Sequence, residues 1–181
     1  LEHGIYFNHH GLYDVTIHVP LVMVCPRYLP KGKRVKKLVQ HIDLLPTILE
    51  LLGITLELDI DGKSLLPAIF EGCDIRDAIY VSEKGFQRKA AIRTQKYKFI
   101  MSLEDPYCKF CRRIHGGVEE LYDLENDPHE LNNIVKEKRK IASNLRRKLQ
   151  HWLQIMNSKR LQRVLKMKIR KLKKTLYFQG A

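Results

Sequence analysis

The chain has 181 residues, of which 44% are hydrophobic, so it holds enough apolar material for a packed core and wholesale disorder is excluded. Its formal net charge of +13 is concentrated at one end. Glu137 is the last acidic residue and 15 Lys and Arg residues follow it, whereas residues 1–137 carry 18 basic and 20 acidic side chains. This distribution argues against a basic groove through the body and predicts a basic C-terminal appendage.

No uncharged apolar run approaches the roughly 18 residues that a membrane-spanning helix needs, and no targeting segment is recognisable. The cysteines, Cys25, Cys73, Cys108 and Cys111, are too few and too scattered for a disulfide scaffold. They leave the compartment undecided, with the cytoplasm favoured. Residues 175–181 resemble an engineered protease-recognition sequence and carry no functional weight.

The first quarter of the chain begins with a loop-like segment. Residues 1–14 are rich in His, Gly, Asn and Tyr without a regular period, which favours a site-forming loop. Residues 15–25 are almost continuously apolar or β-branched, which predicts a strand buried on both faces. A loop with Lys31, Lys33 and Arg34 follows.

Two short helices are predicted next. Asp43 is a candidate N-cap for an apolar helix that has Pro46 in its first turn and ends at Gly53. After a turn at residues 59–62, Ser64 is positioned to cap a second helix that stops before residue 73.

The pattern then changes to short alternating segments, which predict a small antiparallel sheet. These segments are residues 78–83, 89–94, 97–101 and 119–124. From about residue 128 the spacing becomes helical, and the apolar positions fall on one face. They include Ile141, Leu145, Leu149, Trp152, Leu153, Met156, Leu161, Val164, Leu165, Met167, Ile169 and Leu172.

Three separated stretches share their residues with a known family. The segments E-H-G at 2–4, H-G-L-Y-D at 10–14 and H-V-P-L at 18–21 resemble a stretch usually written E-H-G…K-H-x-x-Y-E…R-V-P-L. The segment H-I-D-L-L-P-T-I-L at 41–49 resembles the helix H-x-D-L-x-P-T-x-L. Residues 91–130 are similar to R-T-x-x-Y-K…E-L-Y-D-L-x-x-D-P-x-E. In this order and spacing, the chain resembles the C-terminal portion of the sulfatase family, in the alkaline-phosphatase superfamily.

The resemblance implies an α/β fold class with three units. Residues 1–72 would be the C-terminal part of a catalytic α/β/α sandwich with a mainly parallel sheet. Residues 73–135 would form a small α+β subdomain with an antiparallel sheet, and residues 136–174 a basic amphipathic helical tail.

The resemblance also implies hydrolysis of sulfate monoesters. In such enzymes a Cys or Ser is oxidised to formylglycine, whose hydrate attacks sulfur, and a divalent cation, usually calcium, is held by Asp and Asn or His. None of the cysteines here lies in the formylglycine motif, and the metal ligands normally lie just upstream of E-H-G. The resemblance therefore implies that the chain is a fragment, inactive alone, without formylglycine or calcium of its own.

His9 and His10 are the candidate catalytic and substrate-binding residues. By motif position His9 stands where the family usually has a sulfate-binding Lys, and His10 matches the His that follows. Sulfate-ester cleavage needs donors near the developing charge, and a protonated imidazole can supply one. Alternatively, one of them only fixes the loop by hydrogen bonding. Asp14 is expected to orient the loop or a neighbouring basic group.

A second candidate set is Cys108, Cys111 and His115, a C-x-x-C pair with a nearby His. Three such ligands can bind zinc, with Cys73 as a distant fourth, but structural zinc sites normally have a complete tetrahedral set. A local disulfide or free thiols are the favoured interpretation.

The tail at 138–174 has two interpretations. It can pack on its own domain or a second subunit, or it can contact an anionic membrane, nucleic acid or acidic partner. We expect self-association or pairing with the missing N-terminal half, through the stripe from Ile141 to Leu172. Two rival functions remain open. One is a phosphonate or phosphodiester hydrolase of the same superfamily, and the other is a basic polyanion-binding module.

Overall fold

The computed structural model describes residues 3, 11–55, 60–84, 88–104, 107, 112–113 and 117–179, with side chains to residue 169. The helices are α1 (Asp14–Ile17), α2 (Leu44–Leu51), α3 (Leu66–Phe70) and α4 (Arg139–Gln179), with a 3-10 turn at His41–Asp43 before α2. The strands are β1 (Ile79–Glu83), β2 (Lys89–Arg93), β3 (Tyr97–Ser102) and β4 (Glu119–Asp123).

The strands form an antiparallel meander in the order β1-β2-β3-β4. Ala91 pairs with Val81 on one side and with Ile100 on the other, and Ile100 pairs in turn with Glu120. Each strand lies within one residue of its sequence prediction, and the small antiparallel subdomain with its long C-terminal helix is confirmed. Alternation with a period of two places the predicted strand residues on two distinct faces.

One face of the sheet packs against the N-terminal half of α4. The buried cluster here consists of Ala90, Ile92, Phe99, Leu121, Ala142, Leu145 and Leu149. The stacked rings of Tyr80 and Trp152, with centroids 5.2 Å apart, extend this contact to the edge strand. The helix begins at Arg139, later than the sequence suggested, and its first three turns provide the buried stripe.

The opposite face of the sheet packs against the residues that precede α1. Leu12 and Tyr13 are buried against Ala91, Ile100 and Tyr122. Charged side chains share this face, and three of them are fully or nearly buried: Lys89, Lys98 and Glu120. Such residues are almost never fully buried unless they are paired, so this face calls for an electrostatic explanation.

The predicted strand at residues 15–25 is wrong. The structure has α1 over Asp14–Ile17, where the Tyr13 carbonyl accepts from the Thr16 and Ile17 amides, and residues 18–25 form no strand. Val22 and Val24 are 82% and 81% exposed. A strand buried on both faces needs neighbouring strands and covering helices, and no strand in the described part of the chain pairs with this segment.

Asp43 occupies the N-cap position of α2, as predicted, but its side chain makes no capping hydrogen bond to that helix. Its buried carboxylate instead accepts from the backbone amides of Gln40 at 2.7 Å and Lys63 at 2.9 Å, and it pairs with Arg76. The residue therefore ties the turn before α2 to two later loops. The second helix is closer to expectation, since the Ser64 hydroxyl accepts from the Leu66 amide at 3.2 Å.

Candidate functional site

The candidate residues His9 and His10 lie outside the described residues, but the structure shows how the chain immediately after them is held. Residues 11–14 form this anchor segment, which ends at the start of α1. The Gly11 amide donates to Glu83 Oε2 at 3.0 Å, so the anchor segment is tied to β1 at its first residue.

Tyr13 is held by a buried carboxylate. Its hydroxyl donates to Glu120 Oε2 at 2.6 Å, and the Tyr122 hydroxyl donates to the same oxygen at 2.8 Å. Lys89 Nζ lies 2.9 Å from the other oxygen, Glu120 Oε1. Burial, and then the adjacent Glu120 charge, raise the pKa of Tyr13 far above its usual value, so the phenol stays protonated and remains a donor.

Asp14 is held by two cations from neighbouring strands. Arg93 Nη2 lies 3.1 Å from Asp14 Oδ2, and Lys98 Nζ pairs with Oδ1. Burial alone would raise the pKa of Asp14, but the hydrogen bond from Arg93 and the Lys98 charge outweigh burial and lower it. The carboxylate is therefore ionised wherever the protein is folded near neutral pH.

Glu130, in the turn after β4, contacts both the anchor segment and Lys98. Its Oε2 accepts from the Asp14 backbone amide at 2.6 Å, and its Oε1 lies 2.6 Å from Lys98 Nζ. Glu130 has a left-handed backbone, with φ of +57°. The Asp127 carboxylate supports this turn by accepting from the amides of Leu131 at 3.0 Å and Asn132 at 2.8 Å.

Together these groups form a charge-balanced mount for the anchor segment, which we call the loop mount. It consists of Arg93, Lys89, Lys98, Glu120, Tyr122 and Glu130. Both carboxylates of the loop mount have a cationic partner, Lys89 for Glu120 and Lys98 for Glu130. In its buried setting such a network fixes geometry, because every member that moves leaves a charge unpaired.

The loop mount does not suit calcium. Its acidic oxygens are already bound to ammonium, guanidinium and hydroxyl groups, whereas Ca²⁺ needs six to eight oxygens of its own. Among the residues that the structure describes, no group of three His, Cys, Asp or Glu is arranged to hold a metal ion.

The remaining sequence candidates separate in space. Cys108, Cys111 and His115 lie outside the described residues, so the zinc hypothesis stays a prediction. Cys73 is exposed and free. No helix in the described part of the chain is long and apolar enough to cross a membrane.

The sequence interpretation missed the role of the loop mount. It quoted Arg93, Lys98, Glu120 and Glu130 as letters of a family signature and gave them no task. One signal was present, because charged residues alternate with apolar ones on three neighbouring strands and so gather on a single face. The expectation for Asp14, that it orients the loop or a neighbouring basic group, matches the geometry.

A family model described as N-sulphoglucosamine sulphohydrolase, C-terminal, matches residues 1–159, and the chain therefore belongs to this family of sulfatase C-terminal regions. The resemblance deduced from the sequence is thereby confirmed.

Similar proteins include two curated sulfatases. The N-acetylglucosamine-6-O-sulfatase of Bacteroides thetaiotaomicron is 30% identical over 145 residues, which cover 74% of this chain and 24% of that protein. The arylsulfatase K of Homo sapiens is 26% identical over 170 residues, covering 82% and 28%. The chain thus spans about a quarter of the length of the curated relatives it matches.

Solved structures agree. One protein, in complex with its substrate D-glucosamine-2-N,6-O-disulfate, has a TM-score of 0.51 and 30% identity, over 62% of this chain and 23% of that one. Another, Ps i-CgsB in complex with k-i-k-neocarrahexaose, has a TM-score of 0.54 and 26% identity, over 70% and 27%. Both likenesses extend over more than half of this chain and about a quarter of the other.

Proposed function

We propose that the whole protein is a sulfatase that hydrolyses sulfate esters on a saccharide, and that this chain contributes the substrate-side loop and the loop mount that positions it. The relatives support the reaction class, since they are sulfatases. One relative is named for a sulfated sugar and another is solved with a sulfated sugar bound, which supports a saccharide substrate.

The observation that carries the proposal is the anchoring of Tyr13 and Asp14. Three charged or hydroxyl-bearing strand residues and one turn residue converge on these two positions, a few residues from His9 and His10. Burying charges carries a desolvation cost, which is offset here by ion pairs and hydrogen bonds that also hold Tyr13 and Asp14 in one geometry. A hydrogen-bond donor stabilises a developing anion best when it is already in position before the reaction. The loop mount would hold the loop with His9 and His10 in such a position.

His9 and His10 are proposed to donate to sulfate oxygens or to the leaving oxygen. An unperturbed imidazole titrates near pH 6.5, so its donation is charge-assisted below that value. A nearby anionic substrate favours the charged form and moves the titration upward. The nucleophile and the divalent cation would come from the other part of the protein and supply the attack on sulfur.

The test uses the full-length protein with an N-acetylglucosamine 6-sulfate substrate and measures released sulfate. We expect calcium-dependent turnover by the full-length protein and none by the 181-residue chain alone. His9→Ala should lower kcat/KM by an amount that corresponds to about 2–4 kcal/mol of lost transition-state stabilisation. His9→Lys should retain activity, and its kcat/KM should fall less steeply at alkaline pH because the Lys charge persists there.

His10→Ala is the companion variant, because the alignment of the two histidines with the family motif can differ by one residue. Normal turnover and an unchanged pH profile in both alanine variants would show that neither imidazole touches the sulfate. A preference for a phosphonate monoester over the sulfate ester would replace the sulfatase assignment with its superfamily rival.

A further inference from the structure

A cationic segment lies in the body of the molecule, apart from the loop mount. Residues 27–37, which we call the basic segment, contain six cations: Arg27, Lys31, Lys33, Arg34, Lys36 and Lys37. No Asp or Glu occurs between Asp14 and Asp43. The near-neutral charge of residues 1–137 is therefore an average that conceals a strongly positive stretch.

The basic segment is fastened beside the loop mount. The Lys36 carbonyl accepts from Gln95 Nε2 at 3.3 Å, and Gln95 lies in the turn between β2 and β3. Two residues before it, Arg93 holds Asp14. Leu38, just after the segment, is buried. The C-terminal end of the basic segment is thus fixed beside the turn that follows Arg93, which holds Asp14.

Two of the six cations are partly engaged by the protein. Lys37 forms an ion pair with Asp74 at 3.1 Å, and Lys33 Nζ lies 3.5 Å from the Phe70 carbonyl. Among the described residues, the side chains of Arg27, Lys31, Arg34 and Lys36 have no hydrogen bond or ion pair, and all four are exposed. They form a set of cations available to an external anion.

The cations of α4 are a competing polyanion surface. The last α4 residues that pack on the sheet core are Trp152 and Leu153, and Lys166 and Lys168 lie three to four turns beyond them. Lys159 and Arg163 of this part of the helix pair with Asp61, whereas the basic segment is hydrogen-bonded to the turn that follows Arg93 of the loop mount. Proximity to the loop favours the basic segment as the surface that works together with it.

We propose that the basic segment binds a saccharide chain carrying several sulfate groups, and holds that chain while one of its sulfates lies in the site served by the loop mount. This inference rests on the proposed sulfatase function. Each exposed ion pair contributes little, and salt screens it over about 8 Å at physiological ionic strength. Several sulfates on one saccharide chain bind together, so a multiply sulfated ligand binds with higher affinity than a single sulfate ester.

The first experiment localises binding on the 181-residue chain by lysine acetylation and mass spectrometry, with a fully sulfated heparin-derived hexasaccharide as the probe. We expect the acetylation of Lys31, Lys33 and Lys36 to fall several-fold, with Lys148, Lys166 and Lys168 unchanged. Inorganic sulfate at the same total sulfate concentration should give no protection. Protection of the α4 lysines alone, or protection by inorganic sulfate, overturns the proposal.

The second experiment compares two triple variants of the full-length protein. Lys31→Gln, Arg34→Gln and Lys36→Gln together should lower kcat/KM on a polysulfated saccharide about tenfold, as the loss of three exposed ion pairs predicts. The sulfated monosaccharide should be hydrolysed normally. The matched control, Lys148→Gln, Lys166→Gln and Lys168→Gln, removes the same charge and should leave both substrates unaffected.

The outcomes separate the two proposals. An equal loss on the monosaccharide, or no loss on either substrate, overturns the role of the basic segment while the sulfatase assignment stands. Footprinting of the 181-residue chain needs no turnover. Protection of Lys31 and Lys36 there, together with a full-length protein that releases no sulfate, supports the binding surface and refutes the proposed function.

Discussion

Lys98 is the residue on which the loop mount depends most, because its ammonium group contacts both Asp14 and Glu130 and its side chain is fully buried. Replacing Lys98 by Met keeps an unbranched apolar stem but leaves two carboxylates with one cation fewer. Removing one partner of a buried pair typically costs about 3–5 kcal/mol. We expect a loss of this size in the free energy of unfolding, measured by urea denaturation of the chain.

The matched control is Lys96→Met, on the turn before the same strand. Lys96 pairs with Glu125, but both side chains are exposed, so water and salt screen the pair. Its midpoint in urea should therefore stay close to that of the unchanged protein. Equal effects of the two substitutions would show that the Lys98 network contributes no more than a surface ion pair.

Asp14 gives the loop mount a pH dependence. Its pKa is lowered in the folded state below an unfolded value of about 3.9, so its stabilising contribution is present above about pH 4 and is lost as the pH falls through the lowered pKa. Asp14→Asn should be less stable than the unchanged chain at pH 7. The difference should shrink below pH 4, as followed by urea unfolding at several pH values. A difference that stays constant down to pH 2 would contradict the assignment.

At the scale of elements, α4 has two parts with different environments. Leu149 is fully buried against the sheet, whereas Leu161, more than three turns further along the same helix, is 64% exposed. Leu149→Ala should lower the free energy of unfolding by about 2–5 kcal/mol, because it removes buried methyl groups and leaves a cavity. Leu161→Ala should change it little, and calorimetry or urea unfolding distinguishes the two.

The division of α4 also narrows the association surface expected from the sequence. That expectation placed the whole stripe from Ile141 to Leu172 at an interface with a partner. In the structure, Ala142, Leu145 and Leu149 instead pack against the sheet of the same chain. Among the side chains described, the exposed apolar residues of the stripe all lie beyond Leu153, so we expect an apolar contact of this stripe with a partner to be made by the C-terminal half of α4.

At the scale of the whole molecule, apolar surface is concentrated away from the sheet. Leu45, Ile48 and Leu52 lie at helical spacing in and just after α2 and are about half exposed, and Val22 and Val24 are more exposed still. Exposed apolar patches of this kind mark contact surfaces. The chain spans about a quarter of the length of its curated relatives. We expect the other part of the proposed full-length protein to cover this surface.

Self-association of the 181-residue chain through α2 is the corresponding prediction. Light scattering at tens of micromolar should detect oligomers, because the exposed leucines bury apolar area on contact. Leu45→Glu combined with Leu52→Glu should raise the monomer fraction. The control, Gln150→Glu with Asn157→Glu, adds the same charge at exposed polar positions and should not. A chain that is monomeric before any substitution would refute the prediction.

The sequence by itself determined the family and the antiparallel subdomain. Alternating segments between turn residues gave each strand within one residue, because a strand that packs between a helix and a loop on its two faces needs a period of two. The spacing of the apolar positions likewise gave α4. These features depend on residues that are near one another in the chain.

Contacts between distant residues were decided only by the tertiary structure. The apolar run at 15–25 has the composition of a buried strand, but pairing requires neighbours that the described chain does not place there, and local hydrogen bonds form α1 instead. Asp43 had the position of a helix cap, yet its carboxylate is taken by Arg76, 33 residues away. Asp14 meets Arg93, Lys98 and Glu130 across separations of 79 to 116 residues. The fold decides which charged residues meet, because the partners are far apart in the chain. The sequence motifs therefore identified the family but did not reveal the contacts of the loop mount.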